Sequence, residues 1–297
     1  MENFPITIQD EVKKVEFVSN DEAWDSIKTK IKLDFKDIII NTSPKTGTTA
    51  LIYMCHLIKG GDSNWIYEDE IALFIELCWN MNIYKPKYGN PYLYKSHLAP
   101  EILLFIFGKN TKLITSIRNP ISTIKSYYNF LIGKCEDPQT INMDEIIKED
   151  VFGQGFIKQF YSYFLCRKLK TQCFVIYEDL EDDVRRKNVI ERISNFLEIK
   201  DVDIEKVLKM TSKEEMLKID KFDDSFQIQI CEKNNRSNIY NLNKASKVTD
   251  GKHQNTLSFS ENTLKLIQDI WDETFGKEGF KNYEELIDFL RKEQSYN

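Results

Sequence analysis

The residues best suited to chemistry stand in three short runs. Ser43-Pro44-Lys45-Thr46-Gly47-Thr48-Thr49 combines a cation, hydroxyls and a glycine that lets backbone approach a ligand closely. If a helix opens at Thr48, its unpaired N–H groups and dipole complete a cradle for a phosphate or phosphosulfate. A plain tight turn with capping threonines explains the Gly-Thr pair but not Lys45. The spacing G-x-x-x-x-G-K-[ST] of NTPase phosphate loops is absent.

The second run is Tyr94-Lys95-Ser96-His97-Leu98. An imidazole there accepts a proton near neutral pH, and Lys95 offsets negative charge on a transferring group. An isolated histidine would more simply cap the next helix. The third run is Arg118-Asn119-Pro120, followed eight residues after Arg118 by Ser126-Tyr127-Tyr128-Asn129-Phe130. Arginine grips phosphate bidentately, but Ser126 reaches the same anion only if the chain doubles back.

Alternating elements must position these runs. Asp37–Thr42 reads as a buried strand, and Thr48–Lys59 has helical apolar spacing closed by Gly60-Gly61. Pro91–Lys95, Lys112–Arg118 and Cys173–Tyr177 read as strands, with helices from Pro100, from Pro120 and over Val184–Leu197. The pattern predicts an α/β fold, a single domain over 1–297 with a central parallel sheet flanked by helices. The runs then lie at strand C-terminal ends, where open α/β sheets bind ligands. Ser260–Phe275 and Tyr283–Glu293 read as amphipathic helices. The polar stretch Asp220–Gly251 is long for a loop and reads as a functional segment.

Composition narrows the partners. A net charge of −6 argues against nucleic acid as a partner, though not against a local basic pocket. No apolar stretch is long enough to span a membrane, and Met1-Glu2-Asn3-Phe4-Pro5 does not begin a signal peptide. Six cysteines without C-x-x-C spacing and three histidines predict free thiols, no zinc site and a cytoplasmic protein.

Together these runs resemble the cytosolic-type sulfotransferases, whose fold is related to that of P-loop NTPases. Ser-Pro-Lys-Thr-Gly-Thr-Thr is similar to the family's 5′-phosphosulfate loop. The resemblance implies that Lys45, Thr46, Gly47, Thr48 and Thr49 hold 3′-phosphoadenosine 5′-phosphosulfate (PAPS), with adenosine 3′,5′-bisphosphate (PAP) as product and no metal. Lys-Ser-His-Leu resembles the segment carrying the family's base, which implies catalytic roles for His97, Lys95 and Lys45. Arg118 and Ser126 match the 3′-phosphate motif. Tyr177, in Tyr177-Glu178-Asp179, and the pair Thr211-Ser212 match further nucleotide contacts. Lys244 aligns with a phosphate-binding arginine, and Lys252, Thr256, Leu257 and Glu261 match the spacing of a homodimer segment.

Departures are specific. Ala50 and Lys213 replace two aromatics that stack on adenine, and Ala245-Ser246 replace Lys-Gly. Adenine is then held more loosely, or under the Lys213 stem. Trp65, Tyr67, Phe74, Trp79, Tyr84, Tyr88 and Tyr92 divide between core and a pocket for a small aromatic or cationic acceptor. Glu68, Asp69, Glu70 and Glu76 read as a solvated acidic face that a cationic acceptor could use. Two rivals stay open: a nucleotide-dependent kinase using Glu178-Asp179 for Mg²⁺, and a non-catalytic nucleotide-binding protein of the same fold.

Overall fold

The computed structural model describes residues 28–62, 68–76, 85–134, 142–148, 155–219 and 258–295. Its centre is strand β1, Ile38–Thr42, buried along its whole length. A run of three isoleucines covered on both faces is what a central parallel strand requires. Beside it lie β2 (Ala72–Phe74), β3 (Leu93–Ser96), β4 (Lys112–Ile117) and β5 (Gln172–Ile176). The five form one sheet in the order β2-β3-β1-β4-β5, and every pairing is parallel.

The crossovers are helical. The principal helices are α1 (Thr48–Ile58), α2 (Glu68–Ile71), α3 (Pro100–Phe107), α4 (Pro120–Lys134), α5 (Met143–Lys148), α6 (Phe156–Cys166), α7 (Asp183–Leu197), α8 (Ile204–Met210), α9 (Lys213–Leu217), α10 (Glu261–Glu273) and α11 (Tyr283–Ser295). Side-chain alternation sends each strand's residues to opposite layers. Ile38, Ile40, Ile114 and Val175 pack against Leu51, Ile52, Ile190 and Ile193 of α1 and α7. Ile117, Phe174 and Ile176 pack on the other face with Phe160, Trp271 and Leu286 of α6, α10 and α11. Ile39 and Leu113 meet Ile102 and Leu103 of α3. Each large apolar side chain so buried contributes about 1.5–3 kcal/mol.

Strand β2 and helices α2, α5, α6, α8 and α9 extend the sequence-based expectation. Edge strand β2 has three residues, too few for a period-2 pattern, and α6 was not among the expected helices. Tyr177 leaves β5 and opens a 3-10 turn, Tyr177–Leu180. Cys55, Cys166 and Cys173 are buried free thiols. The register pairs Asn41 with Ser96 and Thr42 with Ser116, so the segments after β1, β3 and β4 emerge side by side at one edge.

Candidate active site

The loop after β1 is built to present backbone N–H groups. Lys45 (φ 67°) and Gly47 (φ 92°) both take left-handed conformations. A Cβ on Gly47 would lie 2.9 Å from Tyr177 Cδ2, so packing as well as dihedral demands glycine. Gly47 caps α1 without a side-chain hydrogen bond. Among the described residues the N–H groups of Thr46, Gly47, Thr48 and Thr49 donate to no backbone or side-chain acceptor. Consecutive open N–H groups at a helix start form an anion-binding concavity.

The loop hydroxyls have internal work. Thr46 Oγ1 donates to the Ser43 carbonyl at 2.7 Å, and Ser116 Oγ lies 2.8 Å from the Thr46 carbonyl and 3.0 Å from Thr46 Oγ1. Thr48 Oγ1 pairs with Thr42 Oγ1 at 2.6 Å, and Thr49 Oγ1 donates to Glu68 Oε2 at 2.6 Å. The Lys45 ammonium sits over the Phe130 ring, 4.9 Å from its centroid.

His97 follows β3 and is buried. Its Nδ1 lies 2.5 Å from the Thr42 carbonyl oxygen, the residue that leads into the loop. A carbonyl only accepts, so the Nδ1 nitrogen carries a proton, and in the neutral ring the lone pair is on Nε2. The His97 backbone N–H donates to Glu76 Oε1 at 2.6 Å, and Gln159 Nε2 donates to the His97 carbonyl. The Phe74 ring packs edge-on to the imidazole at 5.1 Å between centroids. Lys95 Nζ lies 2.7 Å from Glu68 Oε1 and 4.7 Å from the Phe74 centroid.

Arg118 and the loop are in direct contact. Arg118 Nη1 donates to the Lys45 carbonyl at 2.9 Å, and its guanidinium stacks 4.1 Å from the Tyr177 ring centroid. A guanidinium has five donors, so this bond leaves others for an anion. Burial pushes the Tyr177 phenol up to about 12, so it stays protonated at neutral pH. Ser126 is buried on α4, and its hydroxyl has no hydrogen-bond partner among the described residues. Thr211 closes α8, donating to the Val207 carbonyl at 2.8 Å, while Ser212 caps α9 by accepting from Glu215 N at 3.2 Å. Lys244, Lys252, Thr256 and Leu257 lie outside the described residues, as do Trp65, Tyr67, Trp79 and Tyr84.

Glu68 and Glu76 depart from the solvated face expected of the acidic residues, whereas Glu70 pairs with Lys87 Nζ at 3.1 Å on the surface. Glu68 is fully buried between Thr49 and Lys95. Glu76 accepts from Ser96 Oγ at 3.0 Å as well as from His97 N, and burial raises its carboxyl from 4.5 to about 7. Sequence reasoning also missed Gln159, the one amide on an α6 face of Phe156, Phe160 and Tyr163. A buried amide at helical spacing among aromatics was the available signal.

Residues 35–279 match the sequence family described as the sulfotransferase domain. The chain belongs to the sulfotransferase family. It is 30% identical to human sulfotransferase 1E1 over 211 residues, 65% of this chain and 70% of that enzyme. Its fold is similar to that of mouse sulfotransferase SULT7A1, solved with PAP, with TM-score 0.59, 19% identity and coverage of 86% of this chain and 90% of that one. A second similar structure is retinol dehydratase with androsterone and PAP, with TM-score 0.59, 15% identity and coverage of 85% and 86%. In this sulfotransferase the carboxylates of the kinase reading are otherwise engaged. Glu178 accepts from Asn119 N at 2.9 Å and Tyr283 OH at 2.6 Å, and Arg291 Nη2 lies 2.7 Å from Asp179 Oδ1. No group of three or more metal-ligating side chains occurs among the described residues.

Proposed function

We propose that the chain transfers a sulfuryl group from PAPS to a hydroxyl or amine of a small molecule, with His97 as the base. One observation carries the reading: the imidazole is hydrogen-bonded to Thr42, the residue that leads into the phosphate loop. The proton acceptor is thereby tied to the residue next to the anion cradle, at the shared sheet edge.

The loop N–H groups and Lys45 hold the 5′-phosphosulfate, and Arg118 with Ser126 holds the 3′-phosphate. The open N–H groups, the spare guanidinium donors and the Ser126 hydroxyl fit a doubly phosphorylated nucleotide. Tyr177, Thr211, Ser212 and Lys244 supply the remaining nucleotide contacts suggested by resemblance. His97 Nε2 accepts the acceptor's proton as its oxygen or nitrogen bonds to sulfur. The bond from sulfur to the bridging phosphate oxygen breaks, and PAP departs. Lys45 and Lys95 offset the charge gathering on the oxygens. For Lys95 this requires loosening its pair with Glu68.

Phe74 against the imidazole favours a flat apolar acceptor, and androsterone in retinol dehydratase is consistent with one. Glu68 and Glu76, held by internal partners, give little support to selection of a cation. We read 1–297 as one domain and the protein as cytoplasmic; no described helix is long and apolar enough to cross a membrane. Dimerisation through Lys252–Glu261 stays a proposal, and Glu261 stands exposed at the start of α10.

The test is PAPS with a panel of phenols, hydroxysteroids, alcohols and amines, read by mass spectrometry. Wild type sulfonates at least one class. His97→Ala loses about 10²–10⁴-fold in kcat and keeps PAP affinity. Unchanged turnover in that variant refutes His97 as the base.

A further inference from the structure

We propose that Gln159 is a positioning residue that locks the phosphate loop to the base, so that donor cradle and imidazole are held as one unit. The inference rests on the reading of His97 and the loop given above.

Gln159 is 1% exposed, at the point where α6 meets the sheet edge. Its Nε2 donates to the His97 carbonyl, and its Oε1 accepts from Ser43 Oγ. The amide orientation is dictated by chemistry. A carbonyl oxygen cannot donate, so the NH₂ must face His97, which leaves the amide oxygen for the Ser43 hydroxyl. One side chain therefore ties β1's loop to the residue after β3 from a third element.

The tie continues on both sides. The Ser43 carbonyl accepts from Thr46 Oγ1, and Thr46 accepts from Ser116 at the end of β4. The His97 N–H is held by Glu76, and its ring by the Thr42 carbonyl. His97 is thus gripped through its N–H, its carbonyl and its imidazole. Thr42 also pairs with Thr48 Oγ1, but among these partners only Gln159 reaches both His97 and a loop side chain through one side-chain group. Its truncation would strand a buried carbonyl and a buried hydroxyl and free both segments to shift. Misplacement of reacting groups by about 1 Å lowers rates about 10²-fold.

Two variants separate positioning from general stability. Gln159→Leu keeps an apolar body but neither hydrogen bond. Gln159→Glu is isosteric with the amide when protonated, donating to His97 and accepting from Ser43, but cannot donate when ionised. Burial raises a carboxyl, bringing that switch toward the assay range. We expect Gln159→Leu to lose about 10²-fold in kcat with acceptor KM within about threefold. The ratio of Gln159→Glu to wild-type kcat should rise as pH falls from about 8 to about 6, while the Gln159→Leu ratio stays flat. Thermal melting and PAP calorimetry report whether each variant is folded. If Gln159→Leu does not fold, the Gln159→Glu ratio carries the test, and a flat ratio overturns the proposal. Active wild type with Gln159→Leu at wild-type kcat overturns this inference alone. Wild type inactive on every acceptor overturns the functional reading and this inference with it.

Discussion

At the scale of the residue, Glu76 shows how His97 is held and what that costs. One carboxylate oxygen accepts from Ser96 and from the His97 N–H, while Oε2 is buried with no partner among the described residues. Burial is the leading cause of its rise from 4.5 to about 7, opposed by these hydrogen bonds. The native chain therefore binds the extra proton between those values. Stability from this group is full below about 4.5 and declines as pH rises through about 7. Glu76→Gln keeps an acceptor oxygen and cannot ionise. Its melting temperature relative to wild type should climb between about pH 5 and about pH 8; a constant difference contradicts the assignment. None of this was legible in sequence, because the run Glu68–Glu76 reads as surface charge. Its burial follows from β2 joining the sheet edge, a tertiary fact.

At the scale of the element, the loop and its helix were legible because several signals coincide. A β-branched run, a Lys-Thr-Gly turn and apolar helical spacing place β1, loop and α1 in order, and the observed bounds agree within a residue or two. Strand β2 and helix α6 were not read, since one is three residues long and the other is rich in aromatics that also suit strands. Gly47 is the strictest point of the loop. Gly47→Ala places a Cβ 2.9 Å from Tyr177 at φ 92°. It should lower stability by about 1–3 kcal/mol and weaken PAP binding, measured by denaturant unfolding and calorimetry. Wild-type values in both would show that the loop relaxes freely. The contact between Arg118 and the Lys45 carbonyl is likewise invisible in sequence, where the two phosphate clefts read as separate sites.

At the scale of the molecule, the two faces of the sheet do different work. One carries α1 and α7, fixing the loop helix. The other is an aromatic cluster in which Phe275, fully buried, packs on Trp271 at 4.6 Å and on Phe164 at 5.5 Å between centroids. Phe275→Ala should cost about 3–5 kcal/mol by chemical denaturation. PAP affinity of the folded protein should remain, because the rings that Phe275 packs on, Tyr161, Phe164 and Trp271, are not site residues. A large loss of affinity in folded variant would place this face inside the functional unit. The sequence supported the parallel α/β order, since alternating strand and helix patterns admit few topologies. It could not show which residues across 43, 97 and 159 meet, because those separations are set by the sheet order alone.

The account stands on one arrangement: a nucleotide gripped at both phosphates beside the imidazole. The most direct measurement is a crystal structure of the protein with PAP bound. The 5′-phosphate should lie on the N–H groups of Thr46–Thr49 with Lys45 turned toward it, and the 3′-phosphate on Arg118 and Ser126. Nucleotide density elsewhere, or none at saturating PAP, would contradict it.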